Sequence, residues 1–188
     1  MKLGCVVMAA GRASRFGENK LLAVLDGKTL VERALDAVPD GRFERVCVVS
    51  QGGEIASLAG KYGFISVIND RPELGASRTV ALGLDALGGV DGAMFLVSDQ
   101  PMLGRESVSR LLDLFESDPA RIAALASKGV RGNPCVFPSR FFAELRALEG
   151  DRGGSAVIKN HPEALVTLEV PREELMDVDY KRDLDNMV

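Results

Sequence analysis

Leu3-Gly4-Cys5-Val6-Val7-Met8 runs without a break into Ala9-Ala10-Gly11-Arg12-Ala13-Ser14-Arg15-Phe16-Gly17-Glu18-Asn19-Lys20. A continuous apolar run of this length reads as a strand buried on both faces, the usual condition in a parallel sheet. It empties into a loop with two glycines, three cations (Arg12, Arg15, Lys20) and the Ser14 hydroxyl. Glycine lets backbone N–H groups turn toward an anion at little steric cost. Arginine adds a planar fork for phosphate oxygens and lysine a compact, mobile charge. The combination suits a polyphosphate that must be neutralised while one of its P–O bonds breaks. The loop lacks the Gly-Lys-Ser/Thr of a Walker A loop and the Gly-x-Gly-x-x-Gly spacing of a dinucleotide fingerprint. An ordinary connection after a first strand is the competing reading.

Outward from this stretch, short apolar runs alternate with stretches of helical period. Leu3–Met8, Val46–Ser50, Phe64–Ile68, Ala93–Ser98, Ile122–Ala126 and Ala164–Val170 read as strands. Leu30, Ala34, Leu35 and Val38 share a helical face, as do Val108, Leu111, Leu112 and Phe115. Further helices are expected over Glu54–Lys61, Ser77–Leu87, Ser139–Leu148 and Ser155–Lys159. This alternation predicts an α/β fold with a mostly parallel sheet joined by right-handed crossovers. Lys128–Asp151 breaks the rhythm with Gly129, Gly132, Pro134 and Pro138 around Cys135-Val136-Phe137. It reads as an antiparallel strand or hairpin lying over the carboxyl edge of the sheet, where ligands bind in open α/β proteins. No repeat or linker interrupts residues 1–188, which read as a single domain.

The 188 residues can bury one core, and 46% hydrophobic with 27% charged residues describes a folded, water-soluble chain. No apolar run is long enough to cross a bilayer, and no signal-peptide cleavage region follows the first strand, so a cytoplasmic protein is expected. A net charge of −4 argues against nucleic acid as partner, and the absence of Trp weakens a base-stacking platform. Cys5, Cys47 and Cys135 have neither metal-ligand nor disulfide spacing and read as small core hydrophobes.

Phe95-Leu96-Val97-Ser98-Asp99-Gln100-Pro101-Met102 ends a buried strand on a carboxylate, and Pro101 prevents further extension. A carboxylate at that edge suits Mg²⁺, which prefers oxygen ligands, although a turn aspartate capping the next helix fits the same residues. In Met176-Asp177-Val178-Asp179-Tyr180, alternation puts both carboxylates on one face of an extended segment. The rival reading is a solvated tail, since Arg172 onward has six acids against three bases. Asn69 to Thr79, with Pro72, Gly75, Ser77, Arg78 and Thr79, reads as a turn into a helix N-terminus able to hold an anion or a base edge. Gly132-Asn133-Pro134 reads as a turn whose Asn133 can pair with a ligand. Gly150-Asp151-Arg152-Gly153-Gly154-Ser155 reads as a polar turn opening a helix. His161 is expected at the surface with no catalytic role.

In this order the motifs resemble the nucleotidyltransferase family of molybdenum cofactor cytidylyltransferases and their guanylyl-transferring relatives. The likeness runs from Val7 to about Asp183. It rests on Ala9-Ala10-Gly11-x-x-Ser14-Arg15-Phe16-Gly17-x-x-Lys20-Leu21-Leu22, Asn69 with Gly75, Asp99-Gln100-Pro101, Gly132-Asn133-Pro134, Gly150-Asp151-x-Gly153 and Asp177-Val178-Asp179. The resemblance implies a three-layer α/β/α Rossmann-like fold and transfer of a nucleoside monophosphate from NTP, with release of pyrophosphate. It implies that Ala10 and Gly11, with Arg15 and Lys20, hold the triphosphate, that Arg12 and Ser14 also bind substrate, and that Asp99 and Asp179 hold Mg²⁺. Arg15, Lys20 and Asp99 would be catalytic; Gly75, Ser77, Arg78, Thr79 and Asn133 would bind substrate. The donor would be CTP or GTP and the acceptor a molybdopterin-type phosphate, with transient contact to a molybdenum hydroxylase or its chaperone. Sugar-, alditol- or cobinamide-phosphate acceptors, or a non-catalytic nucleotide-binding accessory protein, are the alternatives. The chain departs from the family pattern at Ser98, often Gly in relatives, at Gly75-Ala76-Ser77-Arg78-Thr79 and at Gly154-Ser155.

Overall fold

In a computed structural model, which describes residues 1–11 and 19–185, the first strand β1 (Leu3–Ala9) lies in the interior of the sheet, with strands on both sides. The chain continues through β2 (Val24–Leu25), β3 (Lys28–Thr29), α1 (Leu30–Asp36), β4 (Arg45–Ser50), α2 (Gly53–Lys61), β5 (Ile65–Ile68) and α3 (Ala76–Leu87). It goes on through β6 (Gly92–Val97), α4 (Arg105–Ser117), β7 (Ile122–Ser127), β8 (Val130–Pro138), α5 (Phe142–Arg146), α6 (Gly154–Asn160), β9 (Leu165–Glu169) and α7 (Lys181–Asp185). The seven-stranded sheet has the order β5-β4-β1-β6-β8-β7-β9, and β2 and β3 form a separate ribbon. β8 alone runs antiparallel to its neighbours, so the sheet is mostly parallel, as expected.

The apolar runs are continuous because both faces of the sheet are covered. On β1, Cys5 and Val7 face a core shared with α1, α2 and α4, through Val31, Leu35, Ile55, Leu58, Leu111 and Phe115. Val6 faces the opposite core, built from Val80, Leu84 and Leu87 of α3, Phe142 and Leu145 of α5, and Val157 of α6. These are the three layers. α3 packs so close to β1 that a Cβ at Gly83 would press into the Val6 methyls. α1 starts with a reciprocal cap: Glu32 N donates to Thr29 Oγ1 (3.3 Å) and Thr29 N to Glu32 Oε2 (2.8 Å). The three cysteines are free and buried, and burial pushes the Cys47 thiol up to about 12. Among the described residues, no helix is long and apolar enough to cross a membrane.

The excursion after Lys128 corrects one expectation. β8 does not lie over the sheet; it fills the slot between β6 and β7, pairing Phe95 with Cys135 and Ala123 with Val136. A hairpin closed by Lys128 and Gly129, both at positive φ, lets the chain return directly alongside β7. Its apolar Cys135–Phe137 run is therefore core.

Candidate active site

Parallel pairing sets Met8 beside Val97, so β1 and β6 end side by side. Beyond them opens a cleft of about 490 Å³. Ala10 and Gly11 line it after β1, Ser98 and Asp99 after β6, with Lys20, Gly75, Ala76, Thr79 and Asp151 around them. Ser98 Oγ donates to Met8 O (3.1 Å), tying the two strand ends together.

Lys20 opens a single 3₁₀ turn whose preceding residue, Asn19, accepts from Leu21 N through its side chain (3.3 Å). With Leu21 buried beneath it, the Lys20 ammonium points along the sheet edge. It donates to Asp99 Oδ2 at 2.8 Å, across 79 residues of sequence, and to Val178 O at 3.0 Å; Asp179 Oδ1 lies 3.6 Å away. Val178 itself is fully buried against Leu25 and Leu30, and its N–H donates to Asp99 O (2.8 Å). The DVD segment thus anchors by its valine and leaves its two carboxylates outside that small core. They do not share one environment. Asp179 turns to Lys20, while Asp177 accepts from Gln100 Nε2 (2.9 Å). Partial burial of the Asp177 carboxyl, then the charges of Asp99 and Asp179, push its pKa above the ordinary aspartate value.

The facing wall is built from backbone. Gly75 sits at φ +85°, and a Cβ there would lie 2.5 Å from the Gly150 carbonyl. That close approach lets Ser77 N donate to Gly150 O (3.2 Å) and Ala76 N to Asp151 Oδ1 (3.3 Å). Asp151 therefore bonds the first turn of α3 from the adjoining loop of the same wall. Asn69 braces the same turn, donating to Thr79 Oγ1 (3.3 Å) and accepting from Arg78 Nε (3.1 Å).

Of the residues singled out from sequence, Ala10, Gly11, Lys20, Gly75, Thr79 and Asp99 meet around the cleft, with Asp179 on Lys20. Ser77, Arg78 and Asn133 do not line it. Ser77 Oγ donates to Leu74 O, and Arg78 is held by Asp70 (2.6 Å), whose carboxyl it keeps below the usual aspartate range. Asn133 lies in β8, joined to Pro134 by a cis peptide. Arg12, Ser14 and Arg15 lie outside the described residues. Sequence reasoning missed Asp151 and Gln100 as contributors. Asp151 was read as opening the helix after it, and only its Gly-Asp turn could have drawn attention; Gln100 had no signal beyond its place in Asp99-Gln100-Pro101.

The donor set suits a divalent metal. One ammonium already stands between two carboxylates, and both are hard oxygen ligands of the kind Mg²⁺ and Mn²⁺ prefer. Among the described residues no third His, Cys, Asp or Glu completes a cage, leaving coordination positions for water and phosphate oxygens.

In open α/β sheets the carboxyl edge is where ligands bind, and the cleft with its lysine flanked by carboxylates lies at that edge of a three-layer α/β protein. The class narrows on comparison with known proteins: residues 5–165 match the model of the MobA-like NTP transferase domain, and the chain belongs to that family. It is 30% identical over 168 residues to the purine catabolism protein PucB of Bacillus subtilis (strain 168), covering 82% of this chain and 80% of PucB. A molybdenum cofactor guanylyltransferase of Rhodobacter capsulatus is 33% identical over 118 residues, which are 59% of this chain and 58% of that protein. Bifunctional GlmU proteins also match, the one from Synechococcus sp. (strain RCC307) over 29% of its own length. In fold, the chain is similar to Rv0371c from Mycobacterium tuberculosis H37Rv, with a TM-score of 0.82 at 22% identity over 100% of this chain and 97% of that one.

Proposed function

We propose that the cleft transfers a nucleoside monophosphate from an NTP to a phosphorylated small-molecule acceptor with Mg²⁺, taking CTP as donor and a molybdopterin-type phosphate as acceptor. Nucleotidyl transfer is the chemistry of the family; donor base, metal and acceptor are the proposal. The observation that carries it is the Lys20 ammonium lying between Asp99 (2.8 Å) and Asp179 (3.6 Å) beside the Ala10–Gly11 backbone.

In this reading Asp99 and Asp179 hold the metal, which supplies charge neutralisation at the phosphates when bound. Ala10 and Gly11 offer backbone to the triphosphate, and Lys20 places one positive charge against the oxygens that become pyrophosphate. Arg15, with Arg12 and Ser14, completes that grip. An acceptor phosphate monoester is already ionised at neutral pH, so no side chain need remove a strongly held proton before it attacks the α-phosphorus in line. Rate then comes from alignment and electrostatics. This accords with the lack of a Ser-His-Asp or Cys-His set around the cleft among the described residues. Support for a metal comes also from the manganese complex of Rv0371c, which is similar in fold (TM-score 0.74, 22% identity). A second reading takes GTP as donor, favoured by relatives named as molybdenum cofactor guanylyltransferases. A cytoplasmic location and transient contact with a molybdenum hydroxylase or its chaperone belong to the same proposal.

The test is a thermal-shift panel of the four NTPs with Mg²⁺, followed by pyrophosphate release with molybdopterin, sugar, alditol and cobinamide phosphates. A ligand bound only by the native state raises its melting temperature. Asp99→Asn should remove about 4 kcal/mol of transition-state stabilisation, on the order of a thousandfold in turnover. Tight NTP binding with no turnover on any acceptor would establish the accessory-protein alternative instead.

A further inference from the structure

The segment from Leu175 to Asp179 brings Asp179 to Lys20, yet Met176 to Asp179 has no helix or strand of its own to hold it. Its upstream neighbour Glu174 is fixed on the start of α4, accepting from Gly104 N (2.9 Å) and Ser107 Oγ (2.9 Å). Downstream, Val178 is held by its burial and by its bonds with Lys20 and Asp99, and between these two anchors one further side chain grips two points. Gln100, 3% exposed, donates through Nε2 to both Leu175 O (3.2 Å) and Asp177 Oδ1 (2.9 Å). Its Oε1 has no hydrogen-bond partner among the described residues, so the amide is held through its Nε2 end alone.

We propose that Gln100 is a positioning residue: its buried amide fixes the Leu175–Asp179 segment so that Asp179 stays within reach of Lys20 and Asp99. The inference rests on the reading of Asp99 and Asp179 as metal carboxylates. Gln100 touches neither of them through its side chain and acts through Asp177 and the backbone. Loss of second-layer groups that orient ligands in this way typically changes metal affinity ten- to a hundredfold.

The test uses the full chain, Gln100→Leu and Gln100→Met (the latter unbranched like glutamine, against a packing defect), and Asp99→Asn as control. Two readouts other than activity are followed: amide hydrogen exchange of the peptide spanning 175–179, and Mn²⁺ affinity by electron paramagnetic resonance. Both variants leave Leu175 O and the partly buried Asp177 carboxylate without their donor, so melting temperatures should fall by about 3–10 °C while the fold is kept. Exchange of the segment should speed up about tenfold or more, because its local opening becomes easier. Mn²⁺ affinity should fall about tenfold in both Gln100 variants and further in Asp99→Asn. Wild-type exchange and Mn²⁺ affinity in both Gln100 variants, with Mn²⁺ binding lost in Asp99→Asn, overturn the proposal. If Asp99→Asn binds Mn²⁺ like wild type, the metal reading falls instead, and exchange unchanged by both Gln100 substitutions then removes the positioning claim as well.

Discussion

Lys20→Met removes one ammonium from between two carboxylates while keeping an unbranched side chain. With an effective dielectric near 20, the 2.8 Å contact to Asp99 corresponds to about 6 kcal/mol of gross attraction and the 3.6 Å contact to Asp179 to about 5. Desolvation of the three charges offsets most of that. The Lys20 side chain is 16% exposed but that of Asp179 is 55% exposed, so the second pair is screened and contributes about 0–1 kcal/mol. The charge-assisted bond to Asp99 contributes about 1.5–3 kcal/mol net. A loss of roughly 2–3 kcal/mol is therefore expected, lowering the melting temperature of a chain of this size by about 4–10 °C. The assay is thermal unfolding followed by circular dichroism, in EDTA and then in saturating Mg²⁺. The divalent cation neutralises the same oxygens that lost the ammonium, so Mg²⁺ should stabilise the variant more than it stabilises wild type. A variant melting within about 1 °C of wild type in EDTA would show that the ion pair carries no weight. A deficit that Mg²⁺ leaves untouched would show that these carboxylates are not a cation site.

Three other perturbations probe the frame around the cleft. Gly83→Ala drives a Cβ into the Val6 methyls, costing about 1–3 kcal/mol against a helix-propensity gain of up to about 1. Val6→Ala in the same chain should recover most of it, and a denaturant double-mutant cycle that proves additive would contradict the contact. Gly75→Ala places a side chain in a backbone region nearly reserved for glycine, at about 1–3 kcal/mol, and forces it against Gly150; its melting temperature should fall and NTP-induced stabilisation should weaken. Thr29→Ala loses the α1 cap, at about 1 kcal/mol near neutral pH. Hydrogen bonds from the Thr29 hydroxyl and N–H hold the Glu32 carboxyl below the ordinary glutamate range. Because the folded-state pKa is the lower one, this stabilisation is present above that range and is lost as pH falls through the folded value. The gap between wild type and Thr29→Ala in urea unfolding should accordingly narrow on acidification, and a constant gap would refute the assignment.

Much of this protein was legible in its residue order, because strands covered on both faces declare themselves as unbroken apolar runs. Leu3–Met8, Val46–Ser50 and Ala93–Ser98 could be nothing polar, and the structure makes them three adjacent parallel strands, β4, β1 and β6. The glycine–cation loop and Asp99 stood out as phosphate and metal candidates, each with an ordinary turn as its competing reading. Local pattern also foresaw a break at Lys128. What it could not supply was partnership at long range. Whether the Cys135 run covers the sheet or enters it depends on which strand edges are open, and those belong to β6 and β7. Which aspartate of the DVD segment meets Lys20 was equally hidden, because alternation treats Asp177 and Asp179 alike. The choice is made by Val178 burying itself on Leu25 and Leu30 while Gln100 captures Asp177. Arg78 shows the converse: its position before a helix looked available to a ligand, and Asp70 and Asn69 claim it. Hydrophobic period and turn chemistry act between near neighbours and are written in the sequence, so they determined the layers. Ion pairs and buried amides form between groups that only the folded chain brings together, so the tertiary structure decided that Asp179 rather than Asp177 meets Lys20 and that Gly75 and Asp151 form the facing wall.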